Sequence, residues 1–391
     1  MTTSLAHVVD GPEDAPVVLM GSSLGTDRRM WEHAAGVLAR RYRVVRYEHR
    51  GHGATATPEV EGPVTIDDLG ADVVALMDSL GIARAHHVGL SLGGMLASWT
   101  AQHHPERVDR LVIACSSSWT DTAQPWRERA ATVRAQGLGA IVDPVVARWF
   151  TPDLDDAGVR ADLRERFLAC DPEGYAQACD AIATMDLRPG LARIAAPTLV
   201  VAGAADEATP VGKAEETVRG IRGGGGDVRL EVVDGAAHVA AVEQAGVVTG
   251  LIVEHLDAGR PEIARGQAVR RAVLGDAHVD RARGRQTALD TDFQDLITRY
   301  AWGDVWARPG IDRRMRSALT LALLAALGHE GELAMHVRAA LRNGLTVDEI
   351  REVLLHTGLY AGVPVSNQAF AIATRVLRDE GLLDGPHPHD G

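Results

Sequence analysis

A serine lies between two glycines in residues 89–93, which read Gly-Leu-Ser-Leu-Gly. The segment follows an apolar run typical of a strand and precedes a pattern typical of a helix, so its glycines allow a tight strand-to-helix turn. Such a turn holds the hydroxyl of Ser91 away from the backbone, at the carboxyl edge of a sheet. The sequence therefore predicts that Ser91 is a nucleophile for acyl chemistry, with a structural turn serine as the alternative.

A serine hydroxyl becomes a good nucleophile only when a base removes its proton, and a carboxylate must orient that base. On this type of turn the expected chain order is serine, acid, histidine. Asp206 follows the predicted strand 198–202, and His238 follows the predicted strand 228–233. We therefore predict a triad of Ser91, Asp206 and His238. Glu207 is the competing acid. For Asp206, Glu207 and His238 alike, the alternative is an ordinary loop side chain.

Acyl transfer also requires donors for the oxyanion, usually the amide after the nucleophile and one from the first strand-to-helix loop. Leu92 supplies the first amide, and Leu24 in the loop 21–25 supplies the second by position. The segment 48–53, Glu-His-Arg-Gly-His-Gly, is expected to be a structural turn, so His49 and His52 are left out of the site.

A second set of polar residues lies near the C-terminus, where His329, Glu332 and His336 are spaced by three and four positions. On a helix this spacing places all three on one face. Glu332 and His336 could also hold a metal ion, but a clear third ligand is missing, so a metal site is the minority interpretation.

Short apolar runs alternate with helical patterns up to about residue 115 and return at 198–202 and 228–233. This alternation predicts an α/β fold with a parallel sheet and crossover helices. Strand signals are missing from about 119 to 188, which indicates a helical cap. A stretch rich in arginine and glycine supports a linker at 259–265, between a first domain over 1–258 and an all-α domain over 266–391.

The C-terminal domain shows helical periodicity throughout. In the predicted helix 312–327 four apolar side chains, Met315, Leu319, Leu323 and Leu327, share one face, which we expect to face the core. Residues 346–349, Thr-Val-Asp-Glu, form a capping box at the start of the next helix. Gly362 and Pro364 are expected to break that helix before a final one.

The composition excludes several classes of protein. With 391 residues the chain is too long for one core, which favours two domains. The net charge of −13 argues against nucleic acid or an anionic membrane as a partner, so small molecules are expected. Three scattered cysteines lack redox or metal-ligand spacing, and no apolar stretch has the length of a signal peptide or membrane span. A soluble, cytoplasmic protein is expected.

Several segments of the first domain resemble 3-oxoadipate enol-lactonases over about residues 5–255. They are 22–31, the turn 89–95 and the cap segment 148–152, Arg-Trp-Phe-Thr-Pro. The resemblance implies an α/β-hydrolase fold with a helical cap. Ser22 stands where many α/β-hydrolases have a histidine, which leaves a backbone oxyanion hole intact.

The C-terminal helices resemble 4-carboxymuconolactone decarboxylases over about residues 266–385, in the segments 269–276, 300–306, 320–344 and 360–364. The resemblance implies a decarboxylase that needs no cofactor, because the electrons left by carbon dioxide can flow into the lactone carbonyl. His336 is then the expected proton donor, Glu332 its partner and His329 an auxiliary residue. His356 is a further candidate.

Together the resemblances imply a bifunctional enzyme of protocatechuate catabolism, the β-ketoadipate pathway, that forms 3-oxoadipate enol-lactone and hydrolyses it. Carboxylate groups of the substrates would bind arginines. The candidates are Arg127, Arg134 and Arg148 in the cap, and Arg313, Arg314 and Arg316 in the second domain. The alternative is another serine hydrolase or a cofactor-free haloperoxidase with a non-catalytic oligomerisation domain. A homo-oligomer formed through the C-terminal helices is expected in either case.

Overall fold

The computed structural model describes residues 2–154, 156–259, 261–287 and 289–383. The chain divides into two compact units. The first unit extends to Leu256 and includes Arg283–Thr291, and the second comprises Asp257–Ala282 and the residues from Asp292 onward. Helix α11 begins at Pro261, so most of the expected linker is helical. Proline is favoured in the first helical turn, where its missing N–H is not needed, so this proline starts a helix instead of preventing one.

The first unit is built on a seven-stranded sheet with the strand order β1-β3-β2-β4-β5-β6-β7. All neighbouring strands are parallel except β1 and β3. The predicted α/β fold and its six parallel strands are confirmed. The additional strand β1 lies at the edge of the sheet and was not predicted. It has only four residues with alternating burial, which is too short for a clear apolar pattern in the sequence. The strands are β1 His7–Asp10, β2 Val17–Gly21, β3 Arg43–Tyr47, β4 Ala85–Leu90, β5 Val108–Ala114, β6 Thr198–Gly203 and β7 Val228–Val233.

Helices cover the sheet and bury its central strands almost completely, as in β6, where all six residues are buried. A parallel sheet covered on both faces explains why these strands read as continuous apolar runs. Four of the helices, α4 to α7, lie between β5 and β6 and form the predicted cap. The α-helices are α1 Glu32–Leu38, α2 Ile66–Ser79, α3 Leu92–His103, α4 Gln124–Gln136, α5 Val142–Val146, α6 Ala157–Leu168, α7 Pro172–Thr184, α8 Val211–Gly223, α9 Ala240–Glu243 and α10 Ala245–Asp257, and short 3-10 helices lie at Arg28–Trp31, Pro105–Arg107, Leu138–Ala140 and Arg188–Arg193.

The remaining helices include one π-helix, Thr298–Trp306. The predicted capping box is present, since the Thr346 hydroxyl accepts from the amide of Glu349 while the Glu349 carboxylate accepts from the amide of Thr346. The predicted break is also present at Gly362, which has φ 99°. The α-helices are α11 Pro261–Leu274, α12 Asp276–Gly284, α13 Thr291–Ile297, α14 Arg313–Leu327, α15 Glu330–Arg342, α16 Val347–Ala361 and α17 Val363–Asp379.

The apolar stripe of α14 does not face the core, contrary to the prediction. Its members Met315, Leu319, Leu323 and Leu327 are 52, 49, 61 and 66% exposed. Ser317, Leu321 and Ala325 are buried instead. A shift of two residues turns a helix by about 200°, so α14 carries a second set of small and apolar residues on the opposite side. Spacing by four identified an apolar face correctly but does not show whether that face is buried.

None of the helices in the described part of the chain combines the length and apolarity required to span a bilayer.

Candidate active site

Ser91 occupies a strained turn between β4 and α3, with φ 54° and ψ −115°. A side chain at Gly89 would place its Cβ 2.1 Å from the carbonyl oxygen of Gly93, and a side chain at Gly93 would place its Cβ 2.2 Å from that of Gly21. Both glycines are therefore required by close backbone contacts. The strain holds the Ser91 hydroxyl at the carboxyl edge of the sheet, as the sequence predicts.

The structure brings the three residues of the predicted triad together. His238 Nε2 lies 3.0 Å from Ser91 Oγ, and His238 Nδ1 lies 2.9 Å from Asp206 Oδ2. The three residues meet because Ser91, Asp206 and His238 follow the carboxyl ends of the parallel strands β4, β6 and β7. In this arrangement Nδ1–H donates to the carboxylate, which leaves Nε2 able to accept the proton of the serine.

The competing acid, Glu207, is exposed, and no bond between its carboxylate and His238 is present. Asp206 is buried and also accepts from the amide of Ala208 and from the amide and hydroxyl of Thr209. Burial alone would raise the pKa of Asp206, but the charge and hydrogen bond of His238, together with the bonds from Thr209, hold it below its usual value. Asp206 is therefore present as the carboxylate near neutral pH, as an orienting acid must be.

The two amides assigned to the oxyanion lie beside the nucleophile. Leu92 follows Ser91 directly, and Leu24 lines the same cavity as Ser91 and His238. Within the described ranges, neither the amide of Leu24 nor that of Leu92 donates to a protein acceptor. Both amides are thus free of protein acceptors, as donors to an oxyanion would have to be.

A cavity of about 360 Å³ opens above Ser91 beneath the cap. Its walls are largely aromatic and apolar, with contributions from Trp119, Trp126, Trp149 and Met95. Such a cavity suits a small, mostly apolar ligand with a few polar groups.

Three cations also line this cavity, and only one of them, Arg148, was predicted. The other two are Arg129, whose guanidinium carbon lies 4.6 Å from the centre of the Trp126 ring, and Lys213, whose Nζ lies 3.6 Å from the centre of the Trp119 ring. Lys213 is the single lysine of the sequence. It pairs with Asp121 at 2.5 Å.

Two predicted carboxylate binders do not lie in the cavity. Arg127 is exposed and is absent from the cavity lining, and Arg134 is engaged in ion pairs with Glu173 and Asp180 that join α4 to α7. The error at Arg127 has a simple cause. Arg129, two residues further on α4, points about 200° away from Arg127, and the sequence does not show which side of the helix faces the cavity.

Glu243, at the end of α9, connects the loop of His238 to the cap. One carboxylate oxygen accepts from the amide and hydroxyl of Thr151, at 2.7 and 2.6 Å, and the other accepts from the amide of Ala237 at 2.7 Å. The amide of Val239 also donates to the carbonyl of Trp149. Of the two residues that flank His238, Ala237 is thus bonded to Glu243 and Val239 to the cap. No sequence motif marks Glu243.

In the second unit, the three residues of the second constellation lie along one helix but differ in burial. His329 is the exposed N-cap of α15, Glu332 is exposed in its first turn, and His336 is half-buried against the Trp306 ring, with ring centres 6.4 Å apart. The Nδ1 atom of His336 is buried and has no hydrogen-bond partner among the residues that the structure describes.

Burial, together with the charge of His278, lowers the pKa of His336 to about 4, against the opposing charge of Glu332. His336 is therefore neutral near pH 7, where it can accept a proton or a hydrogen bond. A role as proton donor requires that the imidazole first gain a proton.

The arginines of α14 have different surroundings. Arg314 is bonded to the carbonyl of Gly344 and pairs with Glu349, whereas Arg313 is exposed. Arg316 donates to the carbonyl of Arg308 at 2.9 Å, and its Nε is buried without a partner in the described part of the chain. His356 contacts the Tyr360 ring and also lines a groove between α14 and α16.

Comparison with known proteins agrees with both resemblances that the sequence indicates. Residues 16–157 match the alpha/beta hydrolase fold family, and residues 291–375 match the carboxymuconolactone decarboxylase family. The chain is 39% identical over 243 residues to 3-oxoadipate enol-lactonase 2 of Acinetobacter baylyi, covering 62% of this chain and 88% of that protein. It is 49% identical over 118 residues to 4-carboxymuconolactone decarboxylase of the same organism, covering 30% of this chain and 88% of that protein.

Among solved structures, the first unit is similar to the crystal structure of the enol-lactonase from Burkholderia xenovorans LB400. The TM-score is 0.62 at 37% identity, and the match covers 65% of this chain and 96% of that chain. The names of these relatives agree with the hydrolase and decarboxylase activities expected from the sequence.

Proposed function

Because the chain belongs to the α/β-hydrolase family in its first part and to the carboxymuconolactone decarboxylase family in its last, we propose that it catalyses two consecutive reactions. Residues 266–391 decarboxylate 4-carboxymuconolactone to 3-oxoadipate enol-lactone, and residues 1–258 hydrolyse this product to 3-oxoadipate. Both reactions belong to protocatechuate catabolism. The order follows from the chemistry, since the product of the first reaction is the substrate of the second.

The hydrolase assignment rests on one observation above the others, the continuous chain Ser91–His238–Asp206 with contacts of 3.0 and 2.9 Å. His238 removes the proton of Ser91, and the serine oxygen attacks the lactone carbonyl. The amides of Leu24 and Leu92 stabilise the oxyanion. Collapse of the tetrahedral intermediate breaks the ring C–O bond, and the expelled enolate takes the proton held by His238 and becomes a ketone. His238 then activates water, which releases the acyl group from Ser91.

The cavity cations support this choice of substrate. The enol-lactone carries a free carboxylate, and Arg129, Arg148 and Lys213 line the cavity above Ser91. A cation in a partly dry cavity forms a charge-assisted hydrogen bond with a carboxylate, which fixes the lactone carbonyl near the nucleophile.

For the decarboxylase we assign His336 as the group that handles the proton, with Glu332 as its partner and His329 as an auxiliary residue. The substrate has two carboxylates. Negative charge beside His336 favours the imidazolium form, so binding of the diacid opposes the effect of burial on its pKa. After carbon dioxide leaves, the protonated imidazole donates to the ring carbon of the dienolate. Arg316 is our candidate for binding a carboxylate in this domain.

A direct test follows the hydrolysis of 3-oxoadipate enol-lactone by the purified protein and by its Ser91→Ala variant. We expect turnover by the wild type and a loss of at least 10³-fold in the variant, because the nucleophile is removed. Simple aryl esters and a halide peroxidation assay serve as controls. Faster turnover of aryl esters than of the enol-lactone, or halogenation, would support the alternative hydrolase or haloperoxidase instead.

We also propose that the protein forms homo-oligomers through an apolar face on α14 and α16. The face consists of Met315, Leu319, Leu323 and Leu327 of α14 with Leu355 and Leu359 of α16, all 49–81% exposed. A groove of about 670 Å³ lies between the two helices. Repeated leucines at i, i+4 can interdigitate with the same stripe of a second copy related by a twofold axis.

The self-association is tested with Leu323→Glu, which places a charge in the centre of the face. We expect a smaller particle by light scattering, with secondary structure retained. The matched control is Leu289→Glu, because Leu289 is 93% exposed and lies outside the face. An unchanged particle mass for Leu323→Glu would contradict the proposal.

Nucleic acid and membranes are not partners in this proposal, given the net charge of −13. We place the protein in the cytoplasm, because its three cysteines are unpaired and buried.

A further inference from the structure

We propose that His49 and His52 are positioning residues that hold the oxyanion loop, residues 22–25, in the conformation needed for catalysis. The inference rests on the proposed ester hydrolysis at Ser91 and assigns a role to the segment 48–53, which the sequence indicates only as a structural turn. Neither histidine contacts the reacting atoms, so both act through the backbone of the loop.

The hydrogen bonds of His52 define its tautomer. Its Nε2 lies 2.9 Å from the amide nitrogen of Gly25, and its Nδ1 lies 2.8 Å from the carbonyl oxygen of Arg50. An amide N–H only donates and a carbonyl oxygen only accepts. His52 therefore carries its proton on Nδ1 and accepts at Nε2, which fixes the peptide group that follows Leu24.

His49 fixes the other side of the loop. Its Nε2 lies 2.7 Å from the carbonyl oxygen of Ser22 and must donate to it. The same oxygen accepts from the amide of Gly93 at 3.0 Å, which connects the loop to the first turn after Ser91. The peptide group immediately before the one that contains the Leu24 amide is thus bonded to both His49 and the nucleophile turn.

The peptide group between these two is also held. The carbonyl oxygen of Ser23 accepts from the amide of Thr26 at 3.1 Å and from its hydroxyl at 2.8 Å. Three successive peptide groups are therefore fixed, and the amide of Leu24, the proposed oxyanion donor, belongs to the middle one. Hydrogen bonds to the two neighbouring peptide groups, and to the Ser23 carbonyl oxygen in the same peptide group, fix the orientation of the Leu24 N–H. None of them uses this N–H itself.

The surroundings leave the loop little room to move. Gly25 has φ 80°, and a Cβ at this position would lie 2.5 Å from the Phe167 ring in the cap. His49 and His52 are 3% and 0% exposed, and their rings meet edge to face. Burial lowers the pKa of both histidines, so both are neutral near pH 7. A neutral His52 is required, because a protonated ring would point an N–H at the Gly25 amide.

A donor that is aimed before the reaction stabilises the transition state without reorganisation, and removal of one such donor typically costs 10²–10³-fold in kcat. Loss of the Gly25 bond should free the Leu24 peptide to rotate. We therefore expect a large effect on kcat and a small effect on KM.

The test compares two polar variants of His52. In His52→Asn the side-chain amide corresponds to Nδ1, so the bond to Arg50 is kept and the acceptor for Gly25 is lost. In His52→Gln the amide oxygen can reach the position of Nε2 and accept from Gly25. We expect kcat for the enol-lactone to fall roughly 10²-fold in His52→Asn and to stay within about fivefold of wild type in His52→Gln.

A second readout separates positioning from stability. Phenyl trifluoromethyl ketone adds to Ser91 as a tetrahedral oxyanion, so its affinity reports the oxyanion donors. Its inhibition constant should rise with the loss of kcat in His52→Asn, measured on folded protein with the melting temperature followed in parallel. Wild-type kcat and ketone affinity in a folded His52→Asn variant, or equal losses in both variants, would overturn the proposal.

Failure of the proposed function can be distinguished from failure of this inference. If the wild type does not hydrolyse the enol-lactone, the proposed function fails, while ketone affinity and p-nitrophenyl acetate hydrolysis still measure the oxyanion loop. If His52→Asn does not fold, His49→Gln and His49→Leu provide the same comparison at Ser22. The glutamine variant keeps a donor at the position of Nε2, and the leucine variant removes it. Equal activity of these two variants would count against the inference.

Discussion

Asp206 accepts hydrogen bonds from His238 and from the segment that follows it, so its carboxylate both orients the imidazole and fixes its own loop. These bonds require an acceptor at both carboxylate oxygens. An amide in the same place offers one acceptor and one donor, and it favours the wrong tautomer of His238.

We therefore expect Asp206→Asn to lower kcat for the enol-lactone by roughly 10³–10⁴-fold with little change in KM. The matched control is Glu207→Gln, which alters the neighbouring, exposed acid and should keep kcat within about twofold. Steady-state kinetics on both variants checks this. A large loss in Glu207→Gln together with an active Asp206→Asn would transfer the role to Glu207.

Arg129 and Arg127 provide a second comparison between near neighbours. Loss of a charge-assisted hydrogen bond costs about 1.5–3 kcal/mol, so Arg129→Met should raise KM for the enol-lactone by roughly 10–100-fold. Arg127→Met should leave KM unchanged, because Arg127 lies outside the cavity. With p-nitrophenyl acetate, which has no free carboxylate, both variants should resemble the wild type. Equal effects of the two substitutions on KM would refute the assignment of Arg129.

Among the site residues, the sequence predicts those that directly follow the end of a strand. Ser91, Asp206 and His238 were found because each follows a recognisable strand, and parallel strands end at one edge. Arg129 and Glu243 were missed, because their roles depend on which side of a helix faces the cavity and on a contact across 92 positions. Neither property can be predicted from the local sequence.

Secondary-structure elements show the same division. The central strands were predicted because they are buried on both faces, whereas the edge strand β1 has only four residues with alternating burial. The stripe of α14 was placed on the wrong side, because an exposed apolar face has the same spacing in the sequence as one that packs against the core.

Glu243 joins the His238 loop to the cap, so we expect Glu243→Gln to displace His238 from Ser91. The new amide group presents N–H to a backbone donor, and one bond to Thr151 or Ala237 is lost. A small misplacement of a catalytic group is costly, and we expect kcat to fall roughly 10–10²-fold. Thr151→Ser keeps both donors and should retain most of the activity. Wild-type kcat in a folded Glu243→Gln variant would contradict a positioning role.

Across the whole molecule, buried neutral histidines link folding to pH. Burial lowers the pKa of His49 and His255 to about 3 and that of His87 to about 4. The unfolded chain binds protons on these residues near pH 6.5, whereas the folded chain does not. The free energy of unfolding is therefore unaffected by these histidines above pH 6.5 and decreases as the pH falls from 6.5 towards 3 to 4.

We expect the melting temperature of the hydrolase unit to fall between pH 7 and pH 5.5, with each buried histidine costing roughly 1.4 kcal/mol at pH 5.5. His87→Asn removes one of the titratable rings and should show a shallower pH dependence, whatever its stability at pH 7. Calorimetry at several pH values measures both slopes. A melting temperature that does not change over this range would show that these histidines can take up protons when folded.

We propose that one chain carries out both reactions in a fixed order. The most direct measurement supplies 4-carboxymuconolactone to the purified Ser91→Ala variant and follows the products by NMR. We predict that 3-oxoadipate enol-lactone accumulates with little 3-oxoadipate, and that the wild type converts the same substrate to 3-oxoadipate. If the starting lactone is not consumed by either protein, the decarboxylase assignment of the C-terminal helices is wrong.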